Sequence, residues 1–431
     1  MNNIESLSKQ PYKGTADIYP LDMQVREYLF GTWKKVAKKF GYEEYDAPLI
    51  EEAKLYKVKS GEELANNQLY SFTDKGGREI ALRPELTPSL ARMVAQKKNE
   101  LTYPLRWFNI GRFYRYEKPQ RGRTREFFQL NIDILGVDSI NAEIELLQFI
   151  LTVMEELNAP KETYEIRLSS RALLDYLFDK ILKVNEEIKG DLSRAIDNYL
   201  KMEKSTFLDY IKDIGLDKKQ ADDLIDFLQW DIEKVKEIEE KNKGIKDLIE
   251  LFEQIKKLGL SNIKFCPYIV RGLQYYTGMV FEMYDIGSQE NPRSLFGGGR
   301  YDTLLEIFNE EQLPAFGLGW GDVPTIDYLS TYNLIPEQNV DIDVFLVLMD
   351  ASASADVFSL AKRFRENGIK TRMQLTPSKL SKQLKYVAKL NIPWVAILGE
   401  EEIKNNTVTL KNMSKQEQYE LTVEEAIERI K

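Results

Sequence analysis

The most constraining stretch of the sequence is residues 112–136, RFYRYEKPQRGRTREFFQLNIDILG. A Pro-Gln-Arg-Gly turn separates two aromatic-rich runs, which predicts an antiparallel β-hairpin. In the second run Gln129, Asn131 and Asp133 alternate with apolar residues, so these three polar side chains share one face of a strand. Polar groups on an inner strand must meet partners or bind a polar ligand. The sheet of this protein is therefore predicted to surround a polar site.

Basic side chains are concentrated around the predicted turn: Arg112, Arg115, Lys118, Arg121, Arg123 and Arg125. Guanidinium groups bind phosphate oxygens in bidentate fashion, so such a hairpin suits a polyphosphate. A charge cluster alone fits a solvated basic surface equally well. The polar face of the neighbouring strand favours the phosphate-binding interpretation.

Composition limits the chemistry of such a site. The 431 residues include no histidine, which excludes an imidazole general base, histidine-based triads and histidine-ligated zinc. The net charge of −9 excludes a chain coated with basic residues, so any phosphate-binding surface must be local. The single cysteine, Cys266, can form no intrachain disulfide, and no apolar run is long enough to span a bilayer. The first residues, MNNIESLSKQ, carry no apolar stretch typical of a secretory segment, so we expect none. We expect a soluble cytoplasmic protein without membrane contacts.

Helical and strand-like spacings alternate in blocks along the chain. Residues 21–40 carry apolar residues at helical spacing, and residues 42–140 carry short strand-like runs that predict an antiparallel sheet. Residues 170–259 combine Lys, Asp and Glu with Leu and Ile at helical intervals, which is typical of a helical insertion. Strand-like sequence resumes at residues 263–318. Beyond Pro336, strand and helix patterns alternate, as expected for a separate α/β domain.

Three further fragments carry recognisable patterns: LRPELTPSLARM (82–93), which opens a helix capped at Thr87, VRGLQYYTGMVFEMYD (270–285) and LFGGGRYDTLL (295–305). Singly each is weak, since three glycines are more often a turn or bulge. Together with YRYEKPQ in the hairpin, and in this order, they resemble the signatures of class II aminoacyl-tRNA synthetases. Within that class, RGLQYYTGMVFE and FGGGRYD resemble the two signatures of the histidyl-tRNA synthetase family. The resemblance covers nearly the whole chain.

The resemblance implies an α+β fold, with the class II antiparallel sheet, flanking helices, a helical insertion and a C-terminal α/β anticodon-binding domain. The expected boundaries are a first catalytic part at 1–169, the insertion at 170–260, a second catalytic part at 261–330, a linker at 331–340 and the anticodon-binding domain at 341–431. The implied activity is ATP-dependent ligation of histidine to tRNA(His) through a histidyl-adenylate. ATP and Mg²⁺ are the implied cofactors, no metal-ligating side chain is assigned, and a homodimer is implied.

Roles in binding histidine carry over from the family onto matching residues. Glu85 and Thr87, with Gln129 beside them, would hold the α-ammonium group. The imidazole would lie between Asp133 and Tyr276, in a pocket lined by Tyr275.

Roles in binding ATP carry over in the same way. Arg115 would contact the α-phosphate and the amino-acid carboxylate, and Arg123 the outer phosphates. Arg271, the distinctive residue of the histidyl family, would stabilise charge on the α-phosphate. Attack of a carboxylate on the α-phosphorus needs fixed positive charge rather than proton transfer, so a histidine-free site can perform this step. For transfer to the tRNA, the base could be a phosphate oxygen of the adenylate.

The chain departs from the family pattern at several positions. Gln274 stands where the family has Asp, and Gly321-Asp322 stands where the third signature of the class has Glu-Arg, so the usual ATP-contacting arginine is absent. Tyr116 and Phe128 replace histidines that are common in the second signature. Two alternatives stay open: a synthetase-like regulatory subunit of ATP phosphoribosyltransferase, and a non-catalytic tRNA-binding paralogue, for which Gln274 and Asp322 are the best support.

Contacts with tRNA are expected in the insertion and in the C-terminal domain. Basic residues of the latter would supply a positive face: Lys362, Arg363, Arg365, Lys370, Arg372, Lys379, Lys382, Lys385 and Lys389. Solvated helix faces explain each of these residues nearly as well.

Overall fold

The structure is a computed structural model that describes residues 7–58, 67–239, 241–270, 275–287, 294–338 and 340–431. It divides into two compact units. The larger comprises Met1–Ile18 with Val25–Ile335, and the smaller comprises Tyr19–Gln24 with Pro336–Lys431.

Strands of the larger unit form an eight-stranded and a three-stranded sheet. Their bounds are β1 (Glu43–Glu44), β2 (Ile50–Glu52), β3 (Ser71–Thr73), β4 (Glu79–Leu82), β5 (Leu105–Tyr114), β6 (Glu126–Leu135), β7 (Tyr164–Ser170), β8 (Ile263–Phe265), β9 (Met279–Asp285), β10 (Ser294–Arg300) and β11 (Ala315–Gly321). The eight-stranded order is β1-β5-β6-β11-β10-β9-β7-β8, and the smaller sheet is β2-β4-β3. Pairing is antiparallel from β5 through β7, and the edge strands β1 and β8 pair in parallel. The expected α+β class is confirmed, with a mixed rather than purely antiparallel sheet.

Helices pack around this sheet and form the insertion between β7 and β8. They are α1 (Pro20–Lys39), α2 (Lys54–Lys57), α3 (Thr87–Lys97), α4 (Asn141–Glu156), α5 (Arg171–Tyr176), α6 (Glu186–Asp197), α7 (Lys204–Ile214), α8 (Lys218–Phe227), α9 (Ile232–Lys236), α10 (Lys243–Lys257) and α11 (Asp322–Thr331). Short helical turns occur at Lys161–Thr163, Leu177–Leu182, Tyr199–Lys201 and Leu304–Phe308. Among the described residues, no helix has both the length and the apolar character to cross a membrane.

The predicted hairpin is the centre of the main sheet. β5 and β6 pair in register from Leu105 opposite Leu135 to Tyr114 opposite Glu126. Helix α1 buries Leu29, Trp33 and Val36 in the core that also contains apolar residues of β6. The helical stripe and the strand alternation seen in the sequence thus pack against each other.

The smaller unit contains a five-stranded sheet of its own. Its elements are β12 (Val344–Leu346), α12 (Ser354–Glu366), β13 (Thr371–Met373), α13 (Leu380–Lys389), β14 (Trp394–Ile397), α14 (Glu400–Asn405), β15 (Thr407–Asn412), β16 (Gln418–Thr422) and α15 (Val423–Ile430). In the order β13-β12-β14-β15-β16, the first three strands are parallel and the last two are antiparallel additions. Helix α12 buries Val357, Leu360 and Phe364 in the core of this unit, as its helical spacing predicts.

Two arginine pairs hold α4 against the main sheet, one deeply buried and one at the surface. Arg300 of β10 makes a bidentate pair with Glu143, with 2.7 Å for both its Nε–Oε1 and Nη2–Oε2 contacts. The Glu143 side chain is 0% exposed and that of Arg300 is 11% exposed. Arg106 pairs with Glu145 at 2.7 Å, but their side chains are 36% and 26% exposed.

Removal of each carboxylate should therefore have a different effect on stability. Glu143→Ala leaves a guanidinium charge buried without its counter-ion and should lower the free energy of unfolding by about 3–5 kcal/mol. Glu145→Ala, the matched control on the same helix, should cost about 1 kcal/mol or less because solvent screens Arg106. Urea denaturation of both variants measures the difference. Equal losses would show that burial of the Arg300 pair does not govern its contribution.

Candidate active site

A cavity of about 1990 Å³ opens beside the central strands of the larger unit. Its lining includes residues of β6 and β11, and residues of the insertion such as Arg171, Arg194 and Lys201. Eight of the site residues inferred from the sequence lie in the described part of the chain. All eight line this cavity: Glu85, Thr87, Arg115, Arg123, Gln129, Asp133, Tyr275 and Tyr276. The fold therefore brings them together, although they are far apart in sequence.

Glycines on β11 make room for the polar face of β6. Gly317 pairs with Asp133, and Gly319 pairs with Asn131 but lies under the side chain of Gln129. A Cβ atom at Gly319 would lie 2.6 Å from Gln129 Nε2, and one at Gly317 would overlap the Asp133 carboxylate. Real Cβ atoms do not approach other atoms so closely, so these side chains depend on glycine opposite them.

Asp133 is a buried carboxyl group at the base of the cavity. The hydroxyl of Tyr301 donates a hydrogen bond to its Oδ1. Burial raises the pKa of Asp133 from 3.8 to about 7, and the hydrogen bond from Tyr301 opposes part of that rise. The ionised form can accept a ring N–H from a ligand. The sequence analysis missed Tyr301, although it stands in the FGGGRYD motif beside Arg300, which pairs with Glu143.

A second buried carboxylate, Glu85, joins the residues just before α3 to the segment before β9. The hydroxyl of Tyr275 donates to Glu85 Oε2 at 2.8 Å. Thr87 interacts with the same hydroxyl, which explains one difference from the sequence analysis. Thr87 is the first residue of α3 rather than its cap, and the helix begins after Leu86 without a side-chain cap.

Tyr276 lies beside Tyr275, with ring centroids 5.0 Å apart. A Cβ atom at Gly299 would lie 2.6 Å from the Tyr276 ring, so a glycine of β10 makes room for this ring. The GGG run is thus part of a strand, rather than the turn that such a run more often forms.

Two hairpin arginines face the cavity. Arg115 donates from Nε to the carbonyl oxygen of Pro84 at 2.9 Å, and its guanidinium lies 5.3 Å from the Phe127 ring centroid. Arg123 follows Gly122 in the turn and contacts Glu117 at 3.2 Å, with its side chain more than half exposed. Both present positive charge to a ligand in the cavity.

The four other basic residues of the hairpin do not line the cavity, and three of them have structural partners. Arg112 pairs with Glu126 at 2.8 Å, and Arg121 pairs with Asp327 at 3.0 Å. Arg125 is buried and donates to the carbonyl oxygen of Glu117 at 3.0 Å. Of the six basic side chains that the sequence analysis grouped around the turn, Arg115 and Arg123 line the cavity.

Arg271 and Gln274 lie outside the described residues. The positions that flank this segment, Val270 and Tyr275, both line the cavity. Within the described residues, no three acidic or cysteine side chains are grouped so that they could hold a metal ion.

Comparisons with known proteins identify the family of this chain. The family model for histidyl-tRNA synthetase matches residues 14–320, and an anticodon binding domain model matches residues 343–431. The chain belongs to the histidyl-tRNA synthetase family. It is 41% identical to a histidine–tRNA ligase of Leptospira biflexa, covering 99% of this chain and 98% of the relative. It is 36% identical to the chloroplastic/mitochondrial histidine–tRNA ligase of Arabidopsis thaliana, covering 97% and 86% of the two chains.

A solved structure shows the same fold. The crystal structure of histidyl-tRNA synthetase from Nostoc sp. PCC 7120 superposes with a TM-score of 0.82 at 23% identity, covering 99% of each chain. At this identity the similarity concerns the fold alone.

Ionisation of Asp133 should make the stability of this synthetase pH-dependent. Because its pKa is raised on folding, the folded protein holds a proton that the unfolded chain releases between about pH 4 and 7. The stability conferred at this position therefore falls as pH rises through that window. Relative to Asp133→Asn, the parent should lose up to about 4 kcal/mol between pH 4 and pH 8, at about 1.36 kcal/mol per pKa unit.

Urea denaturation of the parent and of Asp133→Asn between pH 4 and pH 8 measures the difference in their unfolding free energies. The contributions of other titrating groups are common to both proteins and cancel. A difference in unfolding free energy that stays constant with pH would contradict a raised pKa.

Proposed function

We propose that this protein ligates histidine to tRNA(His) in two steps, with ATP consumed to form a histidyl-adenylate. The observation that carries this proposal is a buried carboxyl, Asp133, in the same cavity as the arginines Arg115 and Arg123. One end of the cavity suits a polar ring, and the other suits a polyphosphate.

Selection of histidine follows from the polar base of the cavity. An imidazole N–H would donate to Asp133, with Tyr276 on the other side of the ring. An apolar amino acid would leave the buried carboxylate without a ligand partner, which costs far more than a lost surface contact. Glu85, Thr87 and Gln129 would hold the α-ammonium group at the same end of the cavity.

Adenylate formation requires neutralisation of phosphate charge. The carboxylate of histidine attacks the α-phosphorus, pyrophosphate leaves, and negative charge builds on the non-bridging oxygens. Arg115 would contact the α-phosphate, Arg123 the outer phosphates and Arg271 the charge that develops during attack. ATP would enter as its Mg²⁺ complex, with the ion held mainly by phosphate oxygens and water, as Mg²⁺ prefers. Carboxylate ligands from a protein cluster are not required for this arrangement.

Transfer of histidine to the tRNA needs a path for the 3′ end. The insertion supports this step, because Arg171, Arg194 and Lys201 line the cavity from its side. Such side chains suit a phosphate backbone. The C-terminal unit would bind the anticodon. The matched anticodon-binding domain disfavours a regulatory subunit of ATP phosphoribosyltransferase, a class that generally lacks this domain.

A homodimer is part of the proposal. The three-stranded sheet carries exposed apolar side chains, among them Ile50 and Phe72, each about half exposed. Exposed apolar side chains that cluster on one face are typical of an interface between chains. We also propose a cytoplasmic location, which fits the buried, unpaired thiol of Cys266.

The activity test is histidine-dependent ATP–pyrophosphate exchange, followed by charging of tRNA(His). Asp133→Asn should raise the KM for histidine tenfold or more and change the KM for ATP little, because a hydrogen bond to a charged group is worth about 1.5–3 kcal/mol. Equal increases of both KM values would remove Asp133 from the histidine end. A parent protein that binds tRNA but gives no exchange would support the non-catalytic paralogue.

Arg271→Ala tests the charge at the α-phosphate. Loss of one preorganised donor should slow adenylate formation by about a hundred- to a thousandfold, with ground-state binding of ATP and histidine less affected. Pre-steady-state adenylate formation measures the rate. Arg121→Ala is the control, since Arg121 pairs with Asp327 and does not line the cavity. A rate for Arg271→Ala within a fewfold of the parent would overturn its assignment.

A further inference from the structure

In this chain Gly321 and Asp322 stand in place of the Glu-Arg pair of the third class signature. The contacts of Asp322 indicate a structural role for its carboxylate. Asp322 is the first residue of α11, directly after β11, and its side chain is buried. Its Oδ1 accepts a hydrogen bond from the backbone N–H of Phe128 at 2.9 Å. Its Oδ2 accepts from Arg26 Nε of α1 at 3.1 Å. One carboxylate therefore joins three segments that are distant in sequence.

The contact with Phe128 continues the strand pairing of the sheet. β11 pairs with β6 from Ala315 opposite Leu135 to Gly321 opposite Gln129, where the strand ends. The next residue on β6 is Phe128. Its backbone N–H finds its acceptor in the Asp322 side chain instead of in a further strand residue. The carboxylate thus extends the pairing by one residue.

Further contacts fix the point where β11 passes into α11. Trp320 stacks on Phe296 with 3.8 Å between ring centroids. Its Nε1 donates to Thr325 Oγ1 at 2.8 Å, and that hydroxyl donates to the carbonyl oxygen of Gly321 at 2.6 Å. The end of β11 and the start of α11 therefore form a rigid support from which Asp322 reaches β6.

Phe128 is flanked by two residues of the cavity. Phe127 and Gln129 line the cavity, whereas the Phe128 ring packs on Phe30 of α1 at 5.1 Å and under the Arg112 guanidinium at 4.7 Å. Arg115 lies over Phe127. A shift of the backbone at Phe128 would consequently move the residues that border the phosphate and ammonium ends of the site.

We propose that Asp322 is a positioning residue for adenylate formation: held by Arg26, it fixes the Phe128 backbone and thereby the places of Phe127 and Gln129 in the cavity. This inference rests on the proposed function. In the sequence analysis, Gly321-Asp322 supported a non-catalytic paralogue. With Asp322 as a positioning residue, the same two residues instead indicate a different structural support for the hairpin.

The test compares two neutral side chains of similar size at position 322. Arg26→Met removes the counter-ion in both proteins, so neither has an unpaired buried charge. In this background Asp322→Asn keeps an acceptor for the Phe128 N–H, and Asp322→Leu does not. The readouts are the thermal midpoint, the KM for ATP and the rate of histidine-dependent exchange, and hydrogen exchange of the Phe128 amide.

The asparagine protein should stay within about threefold of the parent in kcat/KM for ATP and keep the Phe128 amide protected. The leucine protein should melt at a similar temperature, lose protection of that amide and fall at least tenfold in kcat/KM for ATP. Asp327→Asn is the matched control, because it breaks the exposed pair between the same helix and the same hairpin at Arg121. It should leave exchange unchanged.

Equal activity of the leucine and asparagine proteins would overturn the proposal. So would failure of the leucine protein to fold, because the contact would then serve stability rather than positioning. An inactive parent would contradict the proposed function instead, and the amide protection would still report whether Asp322 fixes Phe128.

Discussion

The close approach of β11 to the polar face of β6 is the constraint on which the site depends. Gly317 and Gly319 lie against the side chains of Asp133 and Gln129, where any larger residue would occupy the same space. The two strands keep regular antiparallel pairing, so the polar side chains stand on a rigid sheet rather than on a loop. Rigid placement of polar groups matters because a shift of about 1 Å can cost a hundredfold in rate.

This arrangement carries an energetic cost that the surrounding core must offset. Asp133 gives up hydration on folding, and only the hydroxyl of Tyr301 compensates for it among the described side-chain hydrogen bonds. Glu143 is buried as deeply but has a bidentate arginine partner and two carbonyl groups beside that arginine. Glu143 therefore has partners within the fold for its charge, whereas Asp133 lines the cavity with a single hydroxyl partner among the described side-chain hydrogen bonds.

Local pattern was enough to predict the elements that carry the site. The helical stripe of α1 and the alternation along β6 follow from spacing alone, because each has one buried face. Glu85, Asp133 and Tyr275 could be proposed through a resemblance in sequence. The partners of the hairpin arginines could not be predicted from the sequence. Arg112 and Arg115 have the same chemistry, and only the folded chain shows that Arg112 pairs with Glu126 whereas Arg115 lines the cavity. Tyr301 and Asp322 were undervalued for the same reason, since their contacts are with residues 168 and 194 positions away.

A chain of 431 residues without histidine has one further consequence for a protein of this family. Every imidazole resonance in a nuclear magnetic resonance spectrum of the complex would come from the bound amino acid, with no background from the protein. Under the proposed role of Asp133, the tautomer and charge of that ring would report which of its nitrogens faces the Asp133 carboxyl. The cavity is therefore a setting in which the location of a single shared proton can be followed by spectroscopy as the buried carboxyl titrates.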